Sequence, residues 1–200
     1  MQPARSPRPT GQNWKSFLKN HAGDIWSCDF LSITDIFFGQ LYAFFLIEHS
    51  SRRIIHFGIT RHPTDEWTAQ QLREATPFGE RPKYLIRDND RKFGSEFERV
   101  ANGAGIKVLK TPIAAPKSNA ICERMLGSVR RECVDHFLIL GEKHLQKTLK
   151  AYRDYYNGKR PHQGIGQTIP QAEKPSTPQS GKIISIPVLG GLHHAYSGVA

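Results

Sequence analysis

The sequence of 200 residues predicts an α/β fold: a mixed five-stranded sheet flanked by helices. Two observations carry this. Between residues 24 and 60, three apolar segments follow one another at the close spacing of antiparallel hairpins. From residue 64 the rhythm changes, and helical patterns alternate with short apolar runs, as they do where helices cover a sheet.

The first three strands are read as Ile25–Ile33, Gln40–Glu48 and Ile54–Thr60, with turns at Gly39 and at Ser50-Ser51-Arg52-Arg53. Thr64, after Pro63, is the expected N-cap of a helix that passes through Trp67, Gln71, Leu72 and Ala75 and stops at Pro77. Tyr84–Arg87 is the fourth strand. A short helix over Ser95–Ala104 leads through Gly105 to the fifth, Ile106–Leu109. Pro112 and Pro116 mark a loop, and two helices follow, over about 118–136 and 142–157. Three segments result: a basic, Pro-rich lead over 1–13, a folded core over 14–162, and a Pro/Gly/Ser-rich tail over 163–200. Within that tail Pro170–Gly181 reads as a linker and Lys182–Leu189 as one further strand, with the remainder too short for a domain.

Charge narrows the function. There are 28 Lys and Arg against 18 Asp and Glu, a net charge of +10. The excess concentrates between Lys107 and His162, where 12 basic residues face 5 acidic ones. Such a surface attracts polyanions in a salt-dependent way. No apolar run approaches the ~18–20 residues of a membrane span, and Met1 to Gly11 has no apolar stretch of the signal-peptide kind. Cys28, Cys122 and Cys133 form no CxxC pair and leave an odd cysteine, which favours a reducing compartment, the cytoplasm.

Against this basic background three acids stand out. Asp29 interrupts an apolar strand, among Trp26, Cys28, Phe30 and Leu31, where an unpartnered carboxylate is costly. Asp88 follows Tyr84-Leu85-Ile86-Arg87 at the carboxyl end of a strand, where open α/β sheets bind ligands. Asp88-Asn89-Asp90 is also strong turn chemistry, and Asp90 is the rival to Asp88. A calcium loop is excluded, because Lys92 and Phe93 stand where an EF-hand needs an oxygen ligand and a glycine. Glu123 lies in a helical pattern whose apolar stripe is Cys122, Met125, Leu126, Val129 and Cys133. At about 100° per residue Glu123 borders that stripe with Asn119, Gly127 and Arg130, while Arg124, Ser128 and Arg131 point away from the core. Two strand-borne aspartates and one helix-borne glutamate are hard oxygen donors that suit a pair of Mg²⁺ or Mn²⁺ ions acting on a phosphodiester. No His/Cys grouping has zinc spacing.

The motifs around these acids closely resemble the catalytic core of the DDE integrase/transposase superfamily, which includes retroviral integrases and bacterial insertion-sequence transposases. They are Trp-x-x-Asp-Phe (Trp26, Asp29, Phe30), Arg-Asp-x-Asp-x-x-Phe (Arg87, Asp88, Asp90, Phe93) and Ala-Pro-x-x-Asn-Ala-x-x-Glu-Arg (Ala115, Pro116, Asn119, Ala120, Glu123, Arg124). Arg130 to Cys133 with Asp135-His136 follow, then Tyr-Tyr-Asn-x-x-Arg-Pro-His (Tyr155, Tyr156, Asn157, Arg160, Pro161, His162). The family's interval from second Asp to Glu is about 35 positions; Glu123 follows Asp88 by 35, with 34 residues between, whereas Asp90 would leave 32. The resemblance runs from about Trp14 to Pro170.

It implies a ribonuclease H-like fold, with 14–162 an integrase catalytic core, and Mg²⁺-dependent cleavage and joining of DNA strands in a bacterial cytoplasm. Asp29, Asp88 and Glu123 would be the catalytic and metal-binding residues, with Mg²⁺ or Mn²⁺, two ions, as cofactor. Lys117, Asn119, Arg124 and Arg131 are the candidate DNA contacts. Mobile-element ends and target DNA would be the partners, with a homo-oligomer assembling on DNA and no membrane. Arg160 and His162 are assigned no chemistry beyond ending a helix. Family members usually carry helix-turn-helix modules ahead of the core. Here the core follows a short lead, so the expectation is a core without its own end-recognition module: a truncated or degenerate copy, a mis-set start, or one product of a split frame. Two alternatives stand beside the active recombinase: a decayed copy that binds DNA without cutting it, and a ribonuclease H-type nuclease acting on RNA–DNA hybrids.

Overall fold

The computed structural model describes residues 13–111, 119–171 and 182–199. Expectations for the N-terminal lead, for Lys117 and its loop, and for most of the 170–181 linker lie outside the described residues.

Five strands form one sheet: β1 (Ile25–Thr34), β2 (Gln40–Glu48), β3 (Ile54–Thr60), β4 (Tyr84–Arg87) and β5 (Lys107–Lys110), in the order β3-β2-β1-β4-β5. The first three run antiparallel, and β1, β4 and β5 are mutually parallel. The mixed sheet is therefore present with β1 at its centre. The first turn is closed by Asp35, whose carboxylate accepts from the Phe37 and Gly39 N–H groups and from Arg61.

Both faces of the sheet are covered, which is why β2 reads as an unbroken apolar run. Leu41, Ala43, Phe45 and Ile47 face α4 (Ala120–Glu132) and α5 (Glu142–Gly158). The alternate residues Phe44 and Leu46 face α2 (Asp65–Ala75) and α3 (Ser95–Gly103). Thr64 caps α2 as expected, accepting from the Trp67 N–H. Asp65 then caps α3 from a distance, taking the N–H groups of Gly94, Glu96 and Phe97 at 2.7–2.9 Å. Asn157, in the Tyr-Tyr-Asn motif, performs the analogous task between α5 and β3. Its amide both donates to the Ile54 carbonyl and accepts from the Ile54 N–H, each at 2.9 Å, so one side chain mimics a strand partner at the sheet edge.

Three features differ from expectation. A short helix α1 (Trp14–Asn20), capped by Asn13, opens the core and packs Phe17 edge-on against Tyr84. The helix expected over 118–136 breaks at Cys133 into α4 and a single 3₁₀ turn, Val134–His136. The tail holds two strands rather than one, β6 (Lys182–Val188) and β7 (His193–Val199), joined through Gly190 and Gly191 in left-handed conformations. His193 stacks on Tyr155 at 4.7 Å and hydrogen-bonds the Glu132 carbonyl, which seats this hairpin on the core.

Asn157→Ala is expected to orphan both backbone groups of Ile54 and to lower stability by about 2–4 kcal/mol. The urea midpoint with an unchanged m-value checks it.

Candidate functional site

The register between β1 and β4 assembles the site. Pairing runs Ile25↔Tyr84, Trp26↔Leu85, Ser27↔Ile86 and then stops. Continued two residues further, the same register sets Asp88 level with Asp29, where the parallel strands part. Along β1 the two-residue period puts Trp26 and Cys28 on the α2/α3 face and Leu31 and Ile33 on the α4/α5 face. Asp29 therefore points to the side on which α4 carries Glu123.

The electrostatics at Asp29 follow from burial and from the acids around it. Burial pushes the Asp29 carboxyl up from 3.8 to about 7, against the hydrogen bond donated by the Phe30 N–H at 2.7 Å; repulsion from Asp88, Glu123 and Asp90 adds to the rise. Asp88 is half-buried and accepts the Asp90 N–H at 3.2 Å. Glu123 is exposed in the first turn of α4. Asp90 is engaged elsewhere: it accepts from the Lys92 ammonium at 2.5 Å and the Lys92 N–H at 2.9 Å. Burial would raise its pKa, but the Lys92 contacts prevail and lower it. Of the two aspartates after β4, Asp88 is the one left open.

Among the described residues, no three His, Cys, Asp or Glu side chains stand close enough to form a ready-made metal cage. The donor chemistry nonetheless suits a hard divalent cation. The site has only carboxylate oxygens, and their mutual repulsion at Asp29 is not relieved by any salt bridge among the described residues.

Two features sequence reasoning missed hold the acids in place. Arg87, almost wholly buried, pairs with Glu98 at 2.6 Å and donates to the Asp88 carbonyl at 3.0 Å. Lys110 meets the same Glu98 at 2.7 Å, so β4, α3 and β5 are tied beneath Asp88. The signal in the sequence was the arginine itself, at the end of an apolar strand. The second is Asn119, one of the candidate DNA contacts. It is 3% exposed and donates to the Cys28 carbonyl at 3.3 Å, holding the start of α4 against β1, while its Oδ1 has no partner among the described residues. Arg130 does likewise at the Ser32 carbonyl. Arg124 and Arg131 are exposed on the outer face of α4, as the helical spacing predicts.

The comparisons agree with this architecture. Residues 104–170 match the model of the integrase core domain family, a segment that holds Glu123, α4, α5 and the Arg160-Pro161-His162 motif. The chain is 24% identical over 170 residues (84% of its length) to an uncharacterised 39.2 kDa protein of insertion element IS476 from Xanthomonas euvesicatoria. It is 23% identical over 156 residues to an uncharacterised 31.7 kDa protein of insertion element IS407 from Burkholderia multivorans. It spans about half the length of these relatives, 49% and 56% respectively. Among solved structures, the simian T-cell lymphotropic virus intasome, complexed with a PP2A regulatory subunit, aligns with a TM-score of 0.59 at 15% identity over 88% of this chain and 67% of that one. The HTLV-2 integrase catalytic core domain, in complex with magnesium, aligns with a TM-score of 0.59 at 14% identity, over 74% of this chain and 94% of that one. With the β3-β2-β1-β4-β5 sheet and its flanking helices, the chain has the ribonuclease H-like fold of integrase catalytic cores, and its residues 104–170 match the integrase core domain family.

Proposed function

We propose that this chain is the catalytic core of a DNA transposase, cutting and joining DNA strands with Asp29, Asp88 and Glu123 as its metal-binding carboxylates. The observation that carries the reading is the levelling of Asp29 with Asp88 at the parting of two parallel strands, with Glu123 on the helix facing them. Mg²⁺ or Mn²⁺, held as a pair by these oxygens, would supply activation of the attacking oxygen and stabilisation of the leaving one.

The chain's own residues do the rest. Burial and repulsion keep Asp29 short of a counter-charge, so it favours a small cation over a solvated side chain. Arg87, Glu98 and Lys110 hold the backbone of Asp88. Asn119 and Arg130 fix the rotation of α4, and hence the position of Glu123, by binding the β1 carbonyls. Arg124 and Arg131 offer cations to the backbone of bound DNA, and Lys117, two residues before Asn119 in the sequence, is a further candidate contact. The DNA partners are the ends of a mobile element and its target, and joining two ends calls for at least two copies of the core on the DNA. No described helix is long and apolar enough to cross a membrane. The three cysteines are free and buried, which fits work on DNA in a reducing compartment.

In a strand-transfer assay with Mn²⁺ and element-end oligonucleotides, Asp29→Asn, Asp88→Asn and Glu123→Gln are each expected to lower joining by 10³-fold or more, with DNA binding largely spared. Asp90→Asn should retain far more activity than Asp88→Asn. Wild-type activity in any of the first three removes that residue from the site, and cleavage of RNA–DNA hybrids without joining of DNA ends would turn the reading to a nuclease.

The raised pKa of Asp29 gives a separate test. The unfolded chain loses this proton near pH 4 and the folded chain near pH 7, so the group's contribution to stability falls as pH rises between them and stays unfavourable above. In EDTA at pH 8, Asp29→Asn is expected to stabilise the fold by roughly 1–2 kcal/mol, an effect that vanishes near pH 4. Mg²⁺ should raise the melting temperature of the wild type at pH 8 and that of Asp29→Asn much less. Thermal unfolding at the two pH values, with and without Mg²⁺, reads both effects.

A further inference from the structure

A cleft of about 570 Å³ opens between the outer face of α4, the turn joining β2 to β3 and the segment that follows α5. Four arginines line it: Arg52 from the turn, Arg124 and Arg131 from α4, and Arg160 from beyond α5. One carboxylate, Glu132, faces them, and it is already engaged. Arg160 donates to it at 2.6 and 2.8 Å, and the Tyr152 hydroxyl donates at 2.9 Å. His162 adds no charge. Its Nδ1 accepts from Arg160 at 3.2 Å, so its Nε2 donates to the Tyr156 carbonyl and the ring is neutral. Arg52, Arg124 and Arg131 are thus left without a salt-bridge partner among the described residues.

Arg52 is the informative member. Its Nη1 is buried and has no hydrogen-bond partner among the described residues. Burial and the neighbouring charge of Arg124 both disfavour its cation. Its backbone sits at φ +65°, a left-handed conformation that costs a non-glycine residue about 1 kcal/mol. A desolvated guanidinium beside a like charge, on a strained turn, destabilises the free protein; anionic oxygens entering the cleft would reverse that.

We propose that this cleft is a phosphodiester subsite, in which Arg52, Arg124 and Arg131 bind the backbone of the same nucleic acid whose scissile bond is presented to the carboxylates. The proposal rests on the DNA-transposase reading and deepens it. Arg124 directly follows Glu123 on α4, and Arg131 lies seven residues on, about 10 Å along the axis. A strand carrying a phosphate every ~3.4 Å of axial rise can meet both ends of that span at once, which a single phosphate ion does less well.

The test is DNA binding by the full chain in EDTA, as fluorescence anisotropy over a salt series, for wild type, Arg52→Gln, Arg131→Gln and Lys107→Gln. Lys107 is exposed on β5, away from the cleft, and controls for loss of one charge. Each cleft substitution is expected to weaken binding by about 3–10-fold at 0.1 M salt and to flatten the log–log salt slope by about 0.7–0.9, with Lys107→Gln close to wild type. Arg52→Gln should melt no lower than wild type, because an unpartnered buried cation is removed; Arg131, being exposed, reports even if Arg52→Gln folds poorly. Wild-type slopes in both cleft variants, in a protein that binds DNA, overturn the subsite alone. No DNA binding by the wild type overturns the subsite together with the reading it rests on. Inorganic phosphate that raises the wild-type melting temperature but not that of Arg52→Gln, with DNA affinity equal in the two, would also overturn it and leave a small-anion site.

Discussion

The candidate site depends on the parallel register of β1 with β4. Because Ser27 pairs with Ile86, Asp29 stands level with Asp88, and the pairing ends just before both. On its other edge β1 is locked along its length to β2, with Asp29 opposite Phe45. A slip of one residue would turn Asp29 onto the face that holds Phe44, Phe93 and Phe97, where a carboxylate has no polar company. The register that buries the apolar set of β1 correctly is the same one that aims its acid at α4. Core packing and site geometry are thus one constraint rather than two.

α4 turns that constraint into a separation of charge. Its inner stripe, Cys122, Met125, Leu126 and Val129, is in the core. Its flank is stitched to β1 by Asn119 and Arg130. With the rotation so fixed, Glu123 lies toward the aspartates and Arg124 toward the arginine-lined cleft, although the two are neighbours in sequence. The helix dipole favours the same order, with an acid in the first turn and Arg130 and Arg131 in the last. An acidic centre and a basic track can coexist within one helix because a helix turns about 100° per residue.

Much of this was legible in the sequence, and the reason is local. β2, β3 and β4 start and stop where read, because each is an apolar run bounded by glycine, arginine or a polar turn, and Thr64 announces the start of α2. What escaped depends on partners far along the chain. The helix at Trp14 is fastened by Phe17 on Tyr84, and β7 by His193 on Tyr155, neither of which composition reveals. Asn119 was legible as a neighbour of the apolar stripe of α4, but not that its amide reaches a carbonyl 91 positions earlier. Arg52 read as a turn residue; only the folded chain brings it beside Arg124.

The acid at the centre of the site is also where local and global electrostatics disagree. A chain of net charge +10 should, on average, hold its carboxyls below their ordinary values. Asp29 lies well above, so burial and the neighbouring acids outweigh the field of the whole protein. A lysine in salt-bridge contact would remove the conflict. Lys92 does not supply it: its ammonium lies 5.2 Å from the Phe30 ring and 5.5 Å from the Tyr42 ring, and Asp90 holds it at 2.5 Å. The carboxylates stay under-compensated, and charge that the fold leaves unmatched at one point is charge available to a ligand.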